Sequence, residues 1–427
     1  MSAEAPVSVA QDGGEIEPVA DFRARARAWL AADMPRTAGP PPDRFDDGRR
    51  DVERALQRRL WDGGFAGICF PRAYGGQGLT PEHQQAFTEE SRPYDMPFSF
   101  NVPTLGILAA TLADFGTHEQ KLAHLPAILR GDELWVQFLS EPSGGSDLAG
   151  CLTRADRDGD VFVLNGSKIW SSAAFASDYA MCLARTNWDV PKHRGLTMFV
   201  MRIHQPGVEV QQIRQVDGSR EFCQEFFDDV PIPAADVLGS VDDGWTVATR
   251  LLVHERAAVG GGSPYVSGRM DGGEARDDDG NPAGPLVRVV EERGLAGDRH
   301  ARQLLGEARV RQLVQAQLVG RVTGGMAAGA LPPPAGALLK LYAATNRMRQ
   351  VEIALSLAGP AAVTWPAGSD PAGRRTGEAT LARQGLSLGG GSNEMQRNII
   401  SERLLGMPRE FAADREVPYR DVRRSGR

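Results

Sequence analysis

Leu134 to Gly150 reads LWVQFLSEPSGGSDLAG. An apolar run, Leu134 to Leu139, leads into Ser140-Glu141-Pro142, and two glycines and a serine follow. A run of that length bounded by Pro and Gly fits a buried strand or the end of a helix. The segment after it is rich in small residues and hydroxyls. Gly144 and Gly145 let the backbone approach a ligand closely, while Ser140 and Ser146 carry side-chain donors. On these residues alone an ordinary surface loop fits equally well.

A second stretch, Asn165 to Ala173, reads NGSKIWSSA and sets a Trp and two hydroxyls a short hairpin away. An aromatic plate beside a polar cradle suits a large, flat, anionic cofactor such as a flavin dinucleotide. Around it the period is that of strands. Asp158-Gly159 and Asn165-Gly166 read as turns flanking Val161 to Leu164, and strand-like runs recur at 178–184, 196–203, 208–213 and 221–227. Short strands with frequent turns predict a small β-sandwich or barrel over residues 136–243.

On both sides the pattern is helical. Phe22, Ala26, Trp29 and Leu30 repeat at helical spacing, as do Val52, Leu56 and Leu60. Pro71 to Gly78 is a Gly-rich turn, and Thr80-Pro81 has the cap-plus-proline pattern of a helix start. Residues 19–135 therefore form an all-α domain, whose His83, His118 and His124 lack the Cys or carboxylate cluster of a metal site. Helical periodicity returns from Gly244, and residues 244–412 form an α-helical bundle. Its segments run over 245–258, 286–293, 302–322, 338–357 and 393–405, with Gly260-Gly261-Gly262 and a Gly/Asp-rich loop, 270–285, between the first two. The fold class is α+β multidomain. Residues 1–18 are a polar disordered tail and 413–427 a frayed basic one.

Composition narrows the classes. A chain of 427 residues can bury sizeable cores in more than one domain. A mixed charge with a net of −7 gives no nucleic-acid partner. Cys69, Cys151, Cys182 and Cys223 lie far apart, without metal spacing or a disulfide framework, as expected of reduced thiols in a cytoplasmic protein. No stretch is long and apolar enough to span a membrane, and the N-terminus lacks the basic start and apolar core of a secretory signal. Lysine is scarce, four against forty-four arginines.

Several motifs occur in a specific order: Pro71-Arg72-Ala73-Tyr74-Gly75-Gly76-Gln77-Gly78, SEPSGGSDLAG, NGSKIWSS, Arg194-Gly195-Leu196-Thr197, the helix around Leu251 to Arg256, and a C-terminal GGGSNEMQRNIISERLLGMPRE. From roughly Phe22 to Glu410 the chain resembles the acyl-CoA dehydrogenases, flavoproteins that oxidise the Cα–Cβ bond of acyl-CoA thioesters. The resemblance implies a β-domain between two helical ones, FAD as cofactor, an acyl-CoA substrate and an electron-transfer flavoprotein as electron acceptor. It also implies a homodimer or homotetramer, or a mixed oligomer with a paralogue. It places Gln137, Leu139 and Ser140 along the isoalloxazine edge. Gly145 falls in the same loop, and Ser146 near the pyrophosphate or the pantetheine. Trp170 would lie against the ring, Ser172 near N5, and Gly391, Ser392 and Glu394 would close over the cofactor.

The chain departs from that pattern at the base. Many members carry a Glu immediately before the Gly-Thr of the C-terminal motif, and here that position is Gly390, whose backbone N–H remains able to polarise a thioester carbonyl. In the isovaleryl-CoA and long-chain branches the base comes from a helix matching Leu252-Val253-His254-Glu255-Arg256. Glu255 lies one helical turn from Leu251, Leu252 and Val259, so its carboxylate is expected in an apolar stripe, where burial raises its pKa toward that of a general base. Arg256 is expected to position the helix or the acyl-CoA. Two motifs by which relatives reach the partner subunit's flavin are altered: an Arg-x-x-Phe-Gly has no counterpart, and Leu355-Ser356-Leu357-Ala358-Gly359 replaces Gln-x-x-Gly-Gly. A non-catalytic partner subunit and a flavin oxidase or monooxygenase on the same scaffold are the alternatives to a dehydrogenase.

Overall fold

The computed structural model describes residues 16–37, 48–259, 263–266, 284–364 and 371–422. The first fifteen residues, Gly260-Gly261-Gly262, the Gly/Asp-rich loop up to residue 283 and the final basic cluster lie outside the described residues. The described chain forms two compact units. One holds residues 16–214, 220–266 and 412–422; the other holds 215–219 and 284–411.

The first unit opens with helices α1 (Val19–Asp33), α2 (Arg49–Asp62), α3 (Pro81–Glu90), α4 (Ala110–Phe115) and α5 (His118–Arg130). Thr80 and Thr117 cap α3 and α5 through reciprocal capping boxes, so the expected start at Thr80-Pro81 holds. Each histidine has an ordinary partner: His83 contacts Thr80 and the Glu17 carbonyl, His118 the Tyr74 hydroxyl, and His124 the Glu133 carboxylate. No cluster fit for a metal ion occurs among the described residues.

Eight strands follow: β1 (Trp135–Phe138), β2 (Arg154–Asp158), β3 (Val161–Ser172), β4 (Tyr179–Arg185), β5 (Leu196–Arg202), β6 (Val208–Gln212), β7 (Phe222–Pro233) and β8 (Val237–Leu238). They join in one sheet ordered β6-β7-β3-β2-β4-β5-β8, with β1 parallel to β4. The apolar run at 134–139 is thus a strand. Both faces of β4 and β5 are buried: Met181, Leu183, Met198 and Val200 point to one apolar cluster, and Ala180, Cys182, Phe199 and Met201 to the other. That double burial is why these strands read as continuous apolar runs rather than alternating ones. Helix α6 (Gly244–Val259) then packs Val247, Ala248, Leu251 and Ala258 into the first of these clusters.

Two expectations are corrected here. Asn165-Gly166 is not a turn but an irregularity inside β3, where the register against β7 shifts between Leu164 and Gly166. Gly166 has φ +144, and a Cβ there would stand 2.8 Å from Thr153, so the glycine serves close packing within the strand. The tail does not fray before residue 422. Tyr419 is buried, its ring lies 3.7 Å from the Arg185 guanidinium, and its hydroxyl donates to the Gly150 carbonyl at the end of the 134–150 stretch.

The second unit is helical: α7 (Gly284–Glu292), α8 (Arg299–Ala327), α9 (Gly336–Ala358), α10 (Pro371–Ala382) and α11 (Asn393–Ile399). The prolines at 332–334 break the chain between α8 and α9, as expected. The last helix is shorter than its periodicity suggests, because residues 400–404 widen into a π turn. No described helix is long and apolar enough to cross a membrane.

Candidate active site

The two quoted stretches meet through a buried ion pair. Lys168, fully out of water on β3, donates to the Glu141 Oε1 at 3.0 Å and to the Leu139 carbonyl at 2.9 Å. Glu141 also accepts from the Leu152 and Thr153 amides and from the Cys151 thiol. Burial alone would raise its pKa. The Lys168 charge, with the bonds from Thr153, Cys151 and Leu152, outweighs burial and holds it at about 2. The Ile169 amide adds a bond to the Ser140 carbonyl. The loop from Ser140 is therefore fastened to β3 at its root. Arg185 holds its far end through the Ala149 and Cys151 carbonyls.

Beyond that root the loop stays open. Gly145 and Ser146 are exposed, and Ser140 is half-buried. A Cβ on Gly145 would stand 3.3 Å from the Ser140 hydroxyl, so only glycine leaves this cradle clear. Trp170 sits on a β-bulge of β3, the residue between Ile169 and Ser171 that has no partner on β7, and its ring packs edge-on against Phe222. Its φ is +69, rare for a bulky side chain, and its ring is 54% exposed. A core aromatic would be neither strained nor exposed, so this indole is held at the surface on purpose-built backbone rather than packed in the core. The bulge has a second effect. Strict alternation would turn Lys168 and Ser171 to opposite faces, but the extra residue brings both inward, leaving Ser172 half-buried at the strand end.

Inward of the bulge lies a group that period and motif did not single out. Ser171 donates at 3.0 Å to Glu225 on β7, a fully buried carboxyl whose other oxygen has no partner among the described residues. Burial raises its pKa to about 8, and the Ser171 bond and the Lys168 charge offset that only in part. Glu225 is thus a neutral acid at pH 7.

On β1, Gln137 donates from Nε2 to the Glu255 Oε2 at 2.8 Å. Glu255 is buried on α6, whereas Arg256 beside it is exposed. The expected apolar stripe holds on one side only: Leu251 is fully buried, Leu252 half-buried, and Val259 40% exposed. From the sheet side Glu255 accepts from the Gln137 amide. His254 and Arg250 both bond Asp114 of α4, which fixes the helix from behind.

The remaining candidates lie in the helical unit. Gly390 and Gly391 have φ +67 and +85, a left-handed pair that a Glu at 390 would strain, which is a backbone reason for glycine where relatives keep a base. The Ser392 hydroxyl caps α11 by accepting from the Met395 amide. Glu394 is exposed and pairs with Arg397.

An open glycine-serine loop, an exposed indole on a strained bulge and a buried carboxylate are the candidate site features of this unit. Residues 19–132, 137–230 and 286–405 match the N-terminal, middle and C-terminal domains of acyl-CoA dehydrogenase, and the chain belongs to that family. It is 34% identical over 404 residues to acyl-CoA dehydrogenase IpdE1 of Mycobacterium tuberculosis, covering 92% of this chain and 99% of the relative. The IpdE1 of Mycolicibacterium smegmatis is 33% identical over 415 residues, covering 92% and 98%. Among solved structures, the Tcur3481-Tcur3483 steroid ACAD superposes with a TM-score of 0.72 at 27% identity, covering 92% of this chain and 99% of that one. The ChsE4-ChsE5 complex from Mycobacterium tuberculosis gives 0.67 at 25% identity, covering 94% and 100%. The protein is an oxidoreductase of lipid metabolism that acts on CH–CH groups and uses FAD. The residues present fit that cofactor: the cradle a Cβ would fill, the indole platform, and the buried Gln137 Oε1 that has no partner among the described residues.

Proposed function

We propose that this chain converts an acyl-CoA thioester to its 2-enoyl-CoA with Glu255 as the base. The observation that carries this is the buried Glu255 carboxylate, set 2.8 Å from the Gln137 amide on the strand that runs into the Ser140–Ser146 loop. Bound FAD would supply the hydride acceptor for the β-hydrogen and its electron pair. Glu255 takes the α-proton onto a carboxylate oxygen, and the electrons of that C–H bond become the new Cα–Cβ bond. Trp170 supports the flavin ring, and Gln137, Leu139, Ser140, Gly145 and Ser172 lie along its edge. Ser146 meets the pyrophosphate or the pantetheine, and Arg256 the acyl-CoA. Roles for Gly390, Gly391, Ser392 and Glu394 rest on resemblance alone. The side chains of the last two are spent on a helix cap and a surface ion pair. Electrons leave to an electron-transfer flavoprotein.

The acyl group we propose is steroid-derived, because a solved structure at 27% identity is named as a steroid ACAD. Adding a panel of fatty, branched, aromatic and steroid-type acyl-CoAs to the purified protein tests class and substrate together. One steroid-type thioester should bleach the flavin absorbance, and bleaching by fatty acyl-CoAs alone would reject the assignment. Trp170→Ala with Ser140→Ala should yield folded protein that purifies largely colourless; full yellow occupancy would reject the cofactor site.

A second reading concerns assembly. The altered motif at Leu355–Gly359 and the two-protein names of the Tcur3481-Tcur3483 and ChsE4-ChsE5 structures favour a mixed oligomer with a paralogue. Sedimentation tests it: the chain alone should sediment as incomplete, flavin-poor species that gain flavin with the paralogue, whereas a flavin-loaded homotetramer would refute it.

A further inference from the structure

We propose that the returning tail, residues 412–422, is a strap that sets the far end of the Ser140–Gly150 loop for coenzyme A, with Tyr419 as its positioning residue. The inference rests on the reading that Ser146 meets a pyrophosphate or a pantetheine. It adds what holds that half of the loop and which ligand depends on it. The loop has two anchors of different kinds. Its root is fastened by Lys168 on β3, through the Leu139 carbonyl and the Glu141 carboxylate. Its far end is held by Arg185 and by the tail. The Arg185 side chain is out of water and donates to three carbonyls: Ala149 and Cys151 on this loop, and Lys192 on the connection 186–195 between β4 and β5. The Tyr419 ring covers that guanidinium at 3.7 Å and stacks at 5.6 Å on Trp188 of the same connection.

Hydrogen bonds from the tail join the same two segments. The Tyr419 hydroxyl donates to the Gly150 carbonyl, its amide to the Val190 carbonyl at 2.9 Å, and the Arg420 amide to the Trp188 carbonyl at 3.0 Å. Gly150 fits because a Cβ there would stand 2.6 Å from the Asp147 carboxylate. Charge repeats the pattern: Lys192 donates to Asp147 at 3.0 Å and lies 3.8 Å from Asp414 of the tail, and Arg420 pairs with Asp189. Those pairs are partly in water and add little alone, so the buried ring and its hydroxyl carry the strap. Residues 412–422 lie outside the three segments matched to the family, so the strap is an addition to those domains. Fixing the loop in advance removes an ordering cost that a ligand at exposed Ser146 would otherwise bear, and that cost enters its affinity directly. FAD also rests on the root of the loop and on Trp170, which the Lys168 pair and the bulge hold without the tail. The strap therefore bears on coenzyme A.

The test measures FAD and free coenzyme A separately on the full chain carrying Tyr419→Ala, with Tyr419→Leu as a second variant should Ala fail to fold. Hydrogen exchange at residues 147–151 and 186–194 should rise in either one. FAD content should stay near that of the wild type, because the root anchor is untouched. The Kd of the FAD-loaded protein for coenzyme A, read by calorimetry, should rise at least about tenfold, the worth of one hydrogen bond to a charged group. Tyr419→Phe, which keeps the ring over Arg185, should recover part of that affinity. Unchanged coenzyme A affinity in a folded variant overturns the proposal. So does loss of FAD with coenzyme A affinity retained, and so does equal weakening of both, which makes Tyr419 a structural residue of the whole unit. If the wild type itself binds no coenzyme A, it is the acyl-CoA reading that fails and the strap's ligand role with it, an outcome distinct from the others.

Discussion

Glu141 and Glu225 approach the same sheet, both out of water, and hold opposite charge states. Glu141 meets a lysine, two backbone amides and a thiol, and stays ionised down to about pH 2. Glu225 meets one serine hydroxyl, keeps an oxygen without a partner among the described residues, and holds its proton up to about pH 8. Burial is common to both, so the donors that each strand register supplies decide the charge. Glu255 is buried as well and accepts from the Gln137 amide on β1.

The comparison is broken most severely at Lys168. Lys168→Met leaves Glu141 buried without its counter-charge and should cost about 3–5 kcal/mol, read as a fall in the thermal midpoint at pH 7. A midpoint within a degree of wild type would show that the backbone amides alone hold Glu141. Glu225 sharpens the other arm. An acid whose pKa is raised in the fold costs nothing below its unfolded value near 4.5, and the penalty grows with pH until it is complete above about 8. Glu225→Gln should therefore match wild type near pH 5 and exceed it at pH 9, by roughly 3–5 kcal/mol. Equal pH dependence in the two proteins would contradict a neutral Glu225. For Glu141 the sign reverses: its contribution is full above about 4.5 and is lost as pH falls through about 2. The smallest effect is at the returning tail, where Tyr419→Phe removes one hydrogen bond to the Gly150 carbonyl and should cost about 1 kcal/mol. Hydrogen exchange at residues 147–151 should rise with it, and unchanged protection there would detach the tail from the loop.

Much of this was legible beforehand. Helix starts at Thr80 and Thr117 carry their own caps, and the strand runs follow from β-branched and aromatic residues between turn signals. The site stretches were visible as glycine, serine and tryptophan at a strand-to-loop change. What was not visible depends on the third dimension. The bulge at Trp170 flips which residues of β3 face inward, so strict alternation misassigns Ser171 and gives no reason to notice Glu225. Asn165-Gly166 has turn chemistry, yet close packing on Thr153 uses it inside a strand. Lys168 did leave a signal: in a chain with four lysines among forty-four arginines, a compact ammonium marks a place too tight for a guanidinium fork. The Gln137–Glu255 contact spans 118 positions and no local pattern encodes it.

The account stands on Glu255. Single-turnover flavin reduction of Glu255→Gln, mixed with the thioester that bleaches the wild type fastest, tests it most directly. With FAD content and thioester binding unchanged, the rate should fall by at least ~10²-fold, the lower range for loss of a general base. Reduction at the wild-type rate would contradict the assignment and move the α-proton to another group.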